Sequence, residues 1–194
     1  TDRRFSEFHP VIGKKTDTGW VDIDAGPGRS IDSLKPVVRD IYHLLEKKLP
    51  GNKDIQIAYS GGRGFHVRAK LDKPVDTDKL RKQFNSFLQQ HLTQTKDPSL
   101  VLTSRPNQGQ VRLDTSTLKN TGSIRALYAL NSDTGRAAMP VSLDKLKTFN
   151  PEMADVHTIL KKKEFAPGIP QSKKIHELPD DKNKTWTLAI QEHL

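Results

Sequence analysis

Apolar and acidic residues alternate along Trp20-Val21-Asp22-Ile23-Asp24, the period of a strand with one apolar face and one face carrying both carboxylates. Gly26-Pro27-Gly28 must end that strand. Leu34, Val37, Val38, Ile41, Leu44 and Leu45 then recur at helical spacing, with Ser33 as cap, Pro36 tolerated in the first turn and Pro50-Gly51 as the stop. Residues 55–59 and 65–71 read as strands around the bend Ser60-Gly61-Gly62-Arg63-Gly64, which predicts a hairpin. A second amphipathic helix is expected from about Thr77 to Leu92, with Leu80, Phe84, Phe87, Leu88 and Leu92 on one face.

Residues 93–110 hold Pro98, Pro106 and Gly109 and read as loop with a short strand; Val111-Arg112-Leu113-Asp114 reads as another short strand ending in a carboxylate. Residues 124–130 form a further apolar segment, and residues 142–147 resemble a short capped helix. Beyond Pro151 the pattern weakens. Lys161-Lys162-Lys163 and Lys173-Lys174, with Pro167 and Pro170 between them, suggest an extended basic connection before a last strand or helix near Trp186.

The length, 194 residues, suits one sizeable domain with at most a small accessory lobe. No stretch approaches the roughly 18 apolar residues of a membrane span, so no membrane association is expected. The absence of cysteine excludes disulfides and thiolate metal sites and fits a reducing interior. With 32 Lys and Arg against 23 Asp and Glu, the net charge of +9 points towards a polyanion, nucleic acid first. Surplus lysine that only solubilises a surface is the plainer alternative.

Three groups of residues carry candidate chemistry. Asp22 and Asp24, one residue apart on a strand, face the same way within reach of a shared divalent cation, although such pairs also occur as solvated charges at strand ends. Asp114 offers a third ligand from another strand, and three acids suit two Mg²⁺ or Mn²⁺ ions in an in-line phosphoryl-transfer scheme. The bend at Ser60, Gly61, Gly62, Arg63 and Gly64, with His66 just after it, combines exposed backbone, a hydroxyl, a guanidinium and an imidazole, each suited to phosphate. It equally suits a hairpin turn beside a surface histidine, and it lacks the Gly-Lys-Ser/Thr of a Walker loop. Arg125 is a second candidate phosphate contact, and Tyr128, Asn131 and Arg136 lie where sugar or template contacts can arise.

Taken in order, Val21-Asp22-Ile23-Asp24, Ser60-Gly61-Gly62-Arg63-Gly64-Phe65-His66 and Arg112-Leu113-Asp114 resemble the three motifs of the archaeal-eukaryotic primase superfamily. Glu7-Phe8-His9-Pro10 and Ala25-Gly26-Pro27-Gly28 resemble the polymerase domain of end-joining DNA repair ligases; Ser123-Ile124-Arg125-Ala126-Leu127, residues 131–135 and Pro140-Val141 are more similar to primase small subunits. The resemblance spans about residues 7–146. Two departures stand out: Ala58-Tyr59 replaces the usual Lys-Thr before the serine, and a longer region normally precedes the first motif.

The resemblance implies an α+β primase-polymerase core over residues 1–150, with an RRM-like, sheet-based cleft flanked by helices, and a C-terminal extension over 151–194 packing on the same domain. It implies metal binding by Asp22, Asp24 and Asp114, and nucleotide phosphate binding by Ser60, Gly61, Gly62, Arg63, Gly64, His66 and Arg125. The implied activity is template-directed nucleotidyl transfer that extends primers or fills gaps in end-joining repair, with DNA template and primer and NTP or dNTP as substrates. A break-binding protein and a DNA ligase are the implied partners, and the prokaryotic cytoplasm, at the nucleoid, the implied location. The alternatives are a primase subunit making RNA primers and a non-catalytic nucleic-acid-binding module. Without cysteine, the zinc-binding knob of many primases is not expected.

Overall fold

The alternation at the first motif extends into a long strand, β1 (Lys15–Ala25), which pairs antiparallel on both sides. The computed structural model describes residues 9–49, 54–102 and 105–162. The chain divides into two units, Thr1–Glu164 and Phe165–Leu194, and the described residues all belong to the first. Glu7, Phe8, the stop at Pro50-Gly51, the C-terminal basic connection from Lys163 and the element near Trp186 lie outside the described residues.

The helix α1 (Lys35–Lys48) follows a single 3-10 turn, and β2 (Ile55–Tyr59) and β3 (Gly64–Asp76) form the expected hairpin. Asp76 then caps α2 (Thr77–Thr95), its carboxylate accepting from the Lys79 amide at 2.9 Å. Short strands β4 (Leu100–Val101), β5 (Val111–Asp114) and β6 (Met139–Val141) complete a sheet of order β4-β5-β1-β3-β2-β6, antiparallel except for β4 with β5. A further helix, α3 (Val156–Lys162), follows a second 3-10 turn at Pro151–Ala154, and Ala154 is buried against the core.

At the centre of the sheet, β5-β1-β3-β2 with α1 and α2 as crossovers is the split βαβ arrangement of an α+β, RRM-like core. Both helices cover one face. Val38, Ile41 and Leu45 of α1 and Leu80, Phe84 and Leu88 of α2 are buried with Val21, Ile23, Phe65, Val67, Val111 and Leu113. Gly19 is required there, because a Cβ would lie 2.6 Å from the Phe84 ring. The side chains that alternate with these belong to the opposite face.

The apolar segment at 124–130 belongs to no strand or helix; isolated bridges, Val11 to Ser123 and Leu130 to Ala137, tie the backbone around it. One expectation needs correction. Residues 142–147 are a run of turns rather than a helix, with amides reaching only three residues back, as Lys145 to Ser142 at 3.1 Å and Thr148 to Lys145 at 3.1 Å. Among the described residues no helix is long and apolar enough to cross a membrane.

Candidate active site

Register builds the site. Asp22 lies directly opposite Asp114 of β5 on one side and His66 of β3 on the other, so these side chains project from the same face. One step along, Arg112, Asp24 and Gly64 form the next row. Gly64 has a steric reason: a Cβ there would collide with the Ile23 carbonyl and the Asp24 carboxylate.

Arg112 lies among all three carboxylates. Its Nη1 is 3.2 Å from Asp114 Oδ2, its Nη2 is 3.4 Å from Asp22 Oδ2, and Nη2 also contacts Asp24 Oδ2 closely. His66 Nε2 is 3.4 Å from Asp22 Oδ1. The Arg68 guanidinium, which can only donate, faces His66 Nδ1 at 3.4 Å; Nδ1 is therefore the acceptor and Nε2 carries the proton towards Asp22. Burial, then the nearby Arg68 and Arg125, lower the His66 pKa to about 3, so the imidazole is neutral. Burial, then the charge of Asp24, raise Asp22 to about 8 against the pull of Arg112. Burial likewise lowers Arg68 to about 10.

The glycine bend is held from inside. Ser60 Oγ accepts from the amides of Gly62 at 3.3 Å and Gly64 at 3.2 Å, and the Tyr59 hydroxyl donates to the Gly62 carbonyl at 2.7 Å. Those two amides are thus committed within the bend, while the Ser60 hydroxyl keeps its own proton to donate. Gly61 has φ +81°, and a Cβ there would stand 2.8 Å from the Arg136 carbonyl. Arg63 stays exposed at the rim, and its carbonyl accepts from the Ala25 amide at 3.2 Å.

Residues 117–136 wall the open face. Trp20 Nε1 donates to Thr117 Oγ1 at 3.0 Å, Arg125 Nη1 donates to the Ser60 carbonyl at 2.7 Å, and Arg68 Nη2 donates to the Arg125 carbonyl at 2.7 Å. Asn131 is buried; its Oδ1 accepts from the amides of Asp133 and Thr134, and Thr134 Oγ1 donates to the Gly61 carbonyl. Between wall and sheet lies a cleft of about 530 Å³, lined among others by Asp22, Asp24, Ser60, Gly62, Arg63, His66 and Arg125. Asp114 stands beside it through its pairing with Asp22.

The donor set is hard carboxylate oxygen, which suits Mg²⁺ or Mn²⁺. Among the described residues, no three His, Asp or Glu side chains close around a single point, and the Arg112 guanidinium lies among the three acids. The sequence reading gives Arg112 and Thr134 no role; Arg68 it places on the face of His66, as the structure has it. The alternation Arg112-x-Asp114 was a readable signal, since it puts both on one strand face.

The fold is similar to a solved structure of the polymerase domain from Mycobacterium tuberculosis ligase D in complex with DNA, with a TM-score of 0.62 and 22% identity. The match covers 79% of this chain and 56% of that one, so this chain spans little more than half the length of that domain. No curated protein matches the sequence significantly. Residues 4–166 match the family model of the LigD primase-polymerase domain, and the chain belongs to that family, within the primase-polymerase superfamily.

Proposed function

We propose that the protein is a template-directed nucleotidyltransferase that extends primers or fills gaps during DNA end joining, with Asp22, Asp24 and Asp114 as its metal ligands. The observation that carries this reading is the row Asp114, Asp22, His66 across three adjacent strands, next to a glycine bend whose Arg63 shares a cleft with Arg125. Family membership supports it, and so does the presence of DNA in the solved ligase D structure.

Each side chain then has a task. Arg63 and Arg125 bind the triphosphate by charge-assisted hydrogen bonds, and the Ser60 hydroxyl adds a donor. Neutral His66 directs Nε2–H into the site, where it donates to a phosphate oxygen without adding charge. Gly61, Gly62 and Gly64 act sterically, letting the bend lie close to β1 and to residues 131–137. Asp22 gives up its proton to become a ligand. Mg²⁺ or Mn²⁺, when bound, neutralises the triphosphate and lowers the pKa of the attacking primer hydroxyl. That hydroxyl attacks the α-phosphate and pyrophosphate leaves. A break-binding protein and a separate ligase are the partners this role requires.

A gap-filling assay on DNA with 3′ overhangs, run with NTP and dNTP in parallel and with Mg²⁺ or Mn²⁺, tests the reading. Expected are incorporation by the wild-type chain and none by the Asp22→Ala, Asp24→Ala double variant, which still binds DNA. Synthesis on bare single strands without a primer would make the protein a primase; DNA binding with no incorporation under any condition would make it a binding module.

A further inference from the structure

Arg112 has no part in the chemistry just described, yet it is the side chain most closely tied to the three acids. Its side chain is 21% exposed, and the guanidinium spans Asp114 through Nη1 and both Asp22 and Asp24 through Nη2. The strand register leaves it little choice: Arg112 is paired with Asp24 across β1 and β5, and Asp114 follows two positions later on the same face. Clustered carboxylates repel one another, and a guanidinium, which does not lose its proton, relieves that repulsion as a metal ion does.

We propose that Arg112 is a resident cation of this site, standing where divalent metal binds, so that metal loading is an exchange in which the guanidinium is displaced. The proposal rests on the metal-binding role assigned above. A long side chain can swing away without unfolding the strand that carries it. The measured metal affinity is then the intrinsic affinity of the carboxylates reduced by the fraction of molecules in which the arginine has left. Arg112 is thus a positioning residue: it keeps the metal-free acids together and sets the metal concentration at which the site fills.

The test is Mn²⁺ titration of the full chain, read by the loss of free-ion EPR signal, alongside thermal unfolding with and without Mn²⁺. Arg112→Gln should bind Mn²⁺ about tenfold tighter or more, because the competitor is gone. Its metal-free melting temperature should drop and be restored by Mn²⁺. Should that variant fail to fold, Arg112→Lys keeps the charge but cannot fork across several acceptors, and a smaller gain in affinity is expected. If both variants bind Mn²⁺ no tighter than wild type while Asp24→Asn loses affinity, the exchange is wrong and the metal site stands. If Asp24→Asn binds Mn²⁺ as well as wild type does, the metal-binding role fails and this proposal with it.

Discussion

Asp22 has a carboxylate on one flank and a neutral imidazole on the other, and that position governs how it titrates. Burial, then Asp24, raise its pKa from 3.8 to about 8, so between those values the folded chain holds a proton that the unfolded chain has lost. Stability from this group therefore falls as pH rises through that window. His66 runs the other way: lowered from 6.5 to about 3, it stays neutral when folded while the unfolded chain takes up a proton, so its contribution is lost as pH falls below 6.5. Of these two, the Asp22 effect is the one that operates between pH 6.5 and about 8. The melting temperature of metal-free protein should fall across that interval, and Asp22→Asn should flatten the fall; an equally steep decline in the variant would remove Asp22 as its source. Losing the Nε2–H donor in His66→Ala should lower nucleotide incorporation on the order of 10²-fold while DNA binding persists. Undiminished single-turnover rates would take the imidazole out of the reaction.

At the scale of elements, the strand that carries Asp22 and Asp24 is also a central member of the sheet. Phe84 of α2 is fully buried and would overlap any side chain at position 19 of β1. Phe84→Ala should cost about 3–5 kcal/mol of stability, and loss of the α2 cap in Asp76→Ala about 1 kcal/mol, both readable from urea unfolding. A Phe84 variant as stable as wild type would contradict the packing described. The helices and long strands were legible from periodicity, because α1 and α2 each bury one stripe and residues 21–25 of β1 alternate between buried and half-buried. Strand β6 was not, since Pro140 reads as a strand breaker; it is tolerated because β6 lies at the sheet edge and pairs on one side only. The apolar run at 124–130 gave no element signal, and it is partly buried beside the cleft through contacts that follow no period.

For the molecule as a whole, a net charge of +9 means that the proposed affinity for DNA should depend on salt. The logarithm of the binding constant should decline linearly with the logarithm of salt concentration, with a slope of about −0.9 for each phosphate contacted on duplex DNA. A slope near zero in fluorescence anisotropy would deny the basic surface any role in binding. Global pairing also decided which part of the site was readable. Asp22, Asp24, the glycine bend and Asp114 could each be found from local pattern, but the link between Arg112 and Asp22 joins residues 90 apart, and only the order of strands creates it. The same strand order carries a safeguard. Sliding β1 by one residue against its neighbours would bury the acids among leucines and expel Val21 and Ile23 into water. A misaligned sheet would therefore collapse rather than linger with its acids half-assembled, so the correct placing of the charged row is enforced by the oil beneath it.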